Sequence, residues 1–144
     1  MTDQASRLRA LARAEIPEAT LFGSRVMAIT SGKGGVGKTN VVAGLAMSLA
    51  GAGQRVVVLD ADFGLANIDI LLGLTPSYTL EHVLRGEKLL EEILVDGPSG
   101  IKVIPASSGI QELTRLDAAS ELRLVQGLQR VSEHQDWLLI DTAA

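Results

Sequence analysis

Eight residues constrain this chain more than any others. Gly32-Lys33-Gly34-Gly35-Val36-Gly37-Lys38-Thr39 fits the pattern G-x-x-x-x-G-K-[ST] in full. The apolar run 26–30 before it reads as a buried strand. The stretch 39–52 after it, rich in Ala, Leu and Val, reads as a helix closed by Gly51 and Gly53. A glycine loop between a strand and a helix N-terminus is an anion cradle. Without Cβ atoms, successive N–H groups can turn inward around a phosphate, and the helix end adds partial positive charge. The spacing brings Lys38 to the β- and γ-phosphates of a nucleotide and the Thr39 hydroxyl to Mg²⁺. The expected nucleotide-binding set is therefore Gly32, Lys33, Gly34, Gly35, Val36, Gly37, Lys38, Thr39 and Asn40, with ATP or ADP and Mg²⁺ as cofactors. An ordinary loop of this kind has no need of Lys33. A second cation there points to extra stabilisation of phosphate charge, in this subunit or a facing one; the plain alternative is a solvated loop lysine.

The remaining chain predicts strands at 55–59, 101–104 and 137–140. Short helical pieces are expected at 67–72, 79–84 and 87–94, with Gly73 and Pro76 as breaks. A longer amphipathic helix is expected at 118–133, with Leu122, Val125, Leu128 and Val131 at helical spacing. Strands alternating with helices imply a mostly parallel α/β sheet flanked by helices. Residues 2–14 read as a helix capped by Thr2 or Asp3, with Leu8, Leu11 and Ala12 on one face. A linker follows, so the expected division is an N-terminal element at 1–22 and a domain at 23–144. Apolar residues are 47% and aromatics only 3%, which suits an aliphatic core beneath a parallel sheet. The absence of cysteine excludes disulfides, cysteine zinc sites and iron–sulfur clusters, and points to the cytoplasm. A net charge of −4 argues against a nucleic-acid surface. No stretch is apolar enough for a membrane-spanning helix or a signal peptide.

Carboxylates end two of the strands. Asp60-Ala61-Asp62 closes the second, at the edge where parallel sheets bind ligands. One of the pair is expected to order Mg²⁺ or its waters, and the other to position an attacking water. Asp141 follows Leu138-Leu139-Ile140, the Walker B pattern of a Mg²⁺ ligand. The expected metal-binding residues are thus Thr39, Asp60 and Asp141. Taken alone each Asp would be a cap or turn former; beside a full phosphate loop the metal reading is preferred. His82 and His134 stand without metal-ligand spacing and read as structural or solvated. Trp137 reads as a core anchor, and Asp69 as part of a helix surface.

These residues resemble the MinD/ParA family of deviant Walker A ATPases, of the SIMIBI class of P-loop NTPases. Lys33 matches that family's signature lysine within Lys33-Gly34-Gly35-Val36-Gly37-Lys38-Thr39. The stretch 60–74 is similar to switch I of the FlhG (FleN) branch, MinD-like ATPases that control flagellar number and placement. Asp3-Gln4-Ala5-Ser6-Arg7-Leu8-Arg9 resembles the D-Q-A-x-x-L-R element of that branch. The resemblance implies a catalytic set of Lys33, Lys38 and Asp62, with Asp62 positioning the hydrolytic water and Lys33 reaching across an ATP-sandwiched homodimer. It implies that Asp141 opens switch II. It also implies that Asp3, Gln4, Ala5, Leu8 and Arg9 engage and stimulate an FlhF-type GTPase, with Gln4 near its nucleotide. Flagellar switch or regulator proteins are further implied partners. Family members are about twice as long, so the chain reads as an N-terminal half ending in switch II. The adenine-contacting segment and a C-terminal membrane-binding helix would lie beyond it, and the parent would sit in the cytoplasm and reversibly at the inner membrane or cell pole.

Two other readings remain. A ParA-type partitioning ATPase shares the loop but wants a basic surface. A non-hydrolysing fragment would act only as an interaction module through its N-terminal helix.

Overall fold

The computed structural model describes residues 23–30, 37–61, 68–106 and 117–142. The expected helix at 2–14, its linker and most of the glycine loop lie outside them. Among the described residues the elements are β1 (Arg25–Ile29), α1 (Lys38–Gly51), β2 (Val56–Ala61), α2 (Ile68–Leu71), α3 (Leu80–Leu84), α4 (Leu90–Ile93), β3 (Val95–Asp96), β4 (Lys102–Ile104), α5 (Ala118–Ser132) and β5 (Trp137–Thr142). A 3-10 turn, Pro98–Gly100, joins β3 to β4.

The sheet order is β1-β5-β2-β4-β3. The first four strands run parallel, and β3 pairs antiparallel with β4. The central strand β2 is buried at all six positions. Its run of apolar residues serves two cores, because successive side chains alternate between the faces of the sheet. Val57, Leu59 and Ala61, with Leu138, Ile140 and Ile104, pack under α3, α4 and α5. Val56 and Val58, with Leu139 and Val103, pack with Val42 and Ala46 of α1 and with Ile68 of α2. Each fully buried aliphatic side chain contributes about 1.5–3 kcal/mol relative to exposure. In contrast, β1 is the edge strand, with Val26 and Met27 both more than a third exposed.

The α/β class and the parallel sheet are as expected. Three local expectations change. The helical piece at 87–94 contracts to Leu90–Ile93, because Gly86 takes a positive φ of 77° and the Glu92 carboxylate accepts from the Leu89 N–H at 2.7 Å, fixing the helix start. Val95 and Asp96 then form a strand. Gly100 takes a positive φ of 83° in the turn, and the Gly97 N–H donates to the Ile101 carbonyl at 2.8 Å. The expected face of α5 is also displaced. Leu122 is 55% exposed, and the buried face is Leu124, Gly127, Leu128 and Val131. Gly127 sets that face, since a Cβ there would lie 2.7 Å from the Leu90 Cβ, so α4 rests against bare backbone. Asp117 caps α5 by accepting from the Ser120 N–H at 2.7 Å.

Candidate functional site

Four parallel strands end on one edge of the sheet, and the sequence places its polar residues there. Ile29 ends β1, Asp60 and Ala61 end β2, and Asp141 and Thr142 end β5. Pairing sets Asp60 opposite Asp141, and Ala61 opposite Thr142. The Thr142 hydroxyl donates to the Ile29 carbonyl at 2.9 Å, fastening the ends of β5 and β1 together.

Helix α1 begins at this edge. Gly37 takes φ 84° and ψ 19°, left-handed values that a side chain would strain, and its carbonyl accepts the Val41 N–H at 3.1 Å. The turn delivers Lys38 and Thr39 to the strand ends. The Lys38 ammonium donates to the Asp141 Oδ1 and to the Thr142 carbonyl. The Thr39 hydroxyl donates to the Asp141 Oδ2 at 3.0 Å. Asp141 is thereby engaged at both oxygens. Its side chain is 1% exposed and that of Lys38 is 9%. A cation, a hydroxyl and a carboxylate thus converge at a helix N-terminus, an arrangement that favours anions.

Asp60 sits 2% exposed beside this group, and its Oδ2 accepts the Ile68 N–H at 3.1 Å. Asn40 is exposed on the first turn of α1. Of the expected site residues, Lys38, Thr39 and Asp141 are in mutual contact, and Asp60 is adjacent in the sheet. Gly32, Lys33, Gly34, Gly35, Val36 and Asp62 lie outside the described residues, as do Asp3, Gln4, Ala5, Leu8 and Arg9. Thr142 escaped the sequence reading: it contributes a main-chain carbonyl, and its only signal is its place after Asp141. Among the described residues there is no cluster of three or more His, Cys, Asp or Glu. No described helix is long and apolar enough to cross a membrane. His82 accepts the Thr79 N–H at Nδ1, 3.1 Å away, and closes the start of α3. Trp137 packs against the α1-side core and under the Arg25 guanidinium.

The family model described as "AAA domain" matches residues 24–144. The antiactivator FleN of Pseudomonas aeruginosa is 49% identical over 83% of this chain and 43% of its own length. The flagellum site-determining protein YlxH of Helicobacter pylori is 39% identical over 100% of this chain and 50% of its own. Among solved structures, the cell division ATPase MinD of Pyrococcus furiosus superposes with a TM-score of 0.72 at 32% identity, covering 84% of this chain and 51% of that one. MinD of Pyrococcus horikoshii, complexed with Mg-ADP, gives 0.72 at 30% identity, over 84% and 49%. The chain spans about half the length of the curated relatives it matches. With a matched phosphate-loop domain over residues 24–144 and a parallel sheet shared with MinD, the chain belongs to the AAA-domain family, in its MinD/ParA-type deviant Walker A branch.

Proposed function

We propose that this chain carries the phosphate half of a Mg²⁺-dependent ATPase switch of the FleN/MinD kind, which regulates flagellar number and placement. The carrying observation is the convergence of Lys38, Thr39 and Asp141 at the carboxyl edge of a parallel sheet. The donor set suits a magnesium nucleotide. Mg²⁺ keeps several waters and takes one or two protein oxygens plus phosphate oxygens, so an all-protein cage is not required. Thr39 and Asp141 would hold the metal. Lys38 and the N–H groups from Gly32 to Asn40 would hold the phosphates. The bound metal nucleotide supplies the reacting phosphoryl group, and the protein supplies position and charge. Asp62 would position the water, and Lys33 would serve the nucleotide of a facing subunit in an ATP-bound dimer. The Pyrococcus MinD complexed with Mg-ADP supports this ligand class. Calorimetric titration of the chain with Mg-ATP tests it. Saturable binding that requires Mg²⁺ and disappears in Lys38→Ala is expected; tight ATP binding by that variant would sink the assignment.

A second role concerns residues 1–22. The likeness to the Helicobacter flagellar protein runs over the whole chain, these residues included. We assign them to a separate element in which Asp3, Gln4, Ala5, Leu8 and Arg9 stimulate an FlhF-type GTPase. A peptide of residues 1–20 should accelerate GTP hydrolysis by that partner, and an unchanged rate removes the assignment.

A further inference from the structure

Asp60 is in the right place for a metal ligand, but its observed bond suggests other work. Its carboxylate is buried, and Oδ2 accepts the main-chain N–H of Ile68 at 3.1 Å, eight positions along the chain. Ile68 opens α2, and its side chain is fully buried among Val42 and Ala46 of α1 and Val58 of β2. Ile68 is therefore keyed twice: its side chain to the helix that bears Lys38 and Thr39, and its backbone to the end of β2. Ala61, on the other side, is held in register with Thr142 of β5. The chain from 62 to 67, which includes Asp62, leaves and returns to fixed points that lie within one hydrogen bond of each other.

We propose that Asp60 is a positioning residue, a clasp that closes the 61–67 segment and so sets where Asp62 stands relative to Lys38 and Thr39. This rests on the ATPase reading above. The clasp needs a buried acceptor at position 60. An ionised carboxylate suits it best, because a charged acceptor strengthens the bond to a backbone N–H. A buried donor left without its acceptor would also be costly, which makes the closed form the stable one. Placement errors of about 1 Å at a reacting centre cost on the order of a hundredfold in rate, so a clasp of this kind acts on turnover rather than on binding.

The test compares Asp60→Asn with Asp60→Ala in the full chain. Asparagine keeps an acceptor oxygen of the same shape; alanine removes it. Hydrogen exchange at the Ile68 amide should accelerate by about tenfold or more in Asp60→Ala and stay within about threefold of the unaltered chain in Asp60→Asn. The Mg²⁺ dependence of fluorescent ATP-analogue binding should be unchanged in both. Where hydrolysis is measurable, kcat should fall in Asp60→Ala with KM held, and recover substantially in Asp60→Asn. If Asp60→Ala does not fold, Asp60→Asn decides: protected Ile68 exchange with normal Mg²⁺ dependence supports the clasp. Loss of Mg²⁺ dependence with Ile68 still protected would make Asp60 a metal ligand and overturn the proposal, as would unchanged Ile68 exchange in a folded Asp60→Ala. If the unaltered chain binds no nucleotide, the ATPase reading fails, and the exchange data alone then uphold or refute the clasp.

Discussion

Strand β5 is flanked by an aspartate–cation pair at each end, and the two pairs share little but residue type. At the N-terminal end, Asp136 accepts from the Arg55 backbone N–H at 2.7 Å and from its guanidinium Nη2 at 3.1 Å. Those side chains are 62% exposed for Arg55 and 34% for Asp136. At the C-terminal end, Lys38 and Asp141 pair at 9% and 1% exposure. The first pair stitches strand ends, helped by the Asp136 N–H donating to the Arg55 carbonyl at 2.8 Å. Water can replace either partner, so little depends on their meeting. In the second pair neither charge has water to fall back on, and each is obligate to the other. The residues proposed to handle phosphate and metal are therefore also residues that hold the fold's edge together.

The largest effect should come from breaking that dependence. Lys38→Ala strands the Asp141 carboxylate in a buried setting, which costs about 3–5 kcal/mol. Chemical denaturation followed by circular dichroism reads the loss, and nucleotide titration should show no binding. Lost binding in this variant thus has two sources. Lys38→Met combined with Asp141→Asn separates them. Removing both charges should recover most of the stability, with the amide oxygen still able to accept from the Thr39 hydroxyl, while ATP binding stays absent. A double variant as unstable as the single one would show that the penalty does not come from a stranded charge.

The same contrast explains what could be read from the sequence. Lys38, Thr39 and Asp141 were legible because phosphate and metal chemistry demand particular side chains at fixed spacing, and the alternation of strands and helices gave the parallel sheet. Thr142 was not, because it acts through a carbonyl that every residue has. The contact between Asp60 and Ile68 was hidden for a similar reason: its donor is a backbone N–H. The buried face of α5 was misplaced because apolar residues at 122, 124, 125, 128 and 131 fit more than one stripe. What settles the choice is Gly127, which lets Leu90 approach, a tertiary fact. A strand of two residues such as Val95–Asp96 is too short to show alternation at all. β1, with both faces open, reads in sequence like a buried strand, since apolar composition does not say which neighbours cover it.

The smallest effect should come from the exposed pair. Hydrogen bonds from the Arg55 guanidinium, and then from its backbone N–H, hold the Asp136 carboxyl below its ordinary value of 3.8, and Asp136 raises Arg55, which stays cationic throughout. A carboxylate lowered by folding contributes stability that is complete above its unfolded value and is lost as pH falls through the folded one. Asp117, lowered by hydrogen bonds from Ser120, adds to the same acid limb. Arg55→Ala should therefore lower the thermal midpoint by no more than about 2 degrees at neutral pH. The gap from the unaltered chain should narrow as pH falls below the ordinary carboxylate range, because Asp136 then loses its charge in both proteins. It should also narrow in about 1 M salt, where charge interactions at the surface are screened. The Lys38→Ala deficit, rooted in a buried charge, should persist in that salt. An Arg55→Ala chain that is as unstable as Lys38→Ala, and equally indifferent to salt, would abolish the distinction between the two ends of β5.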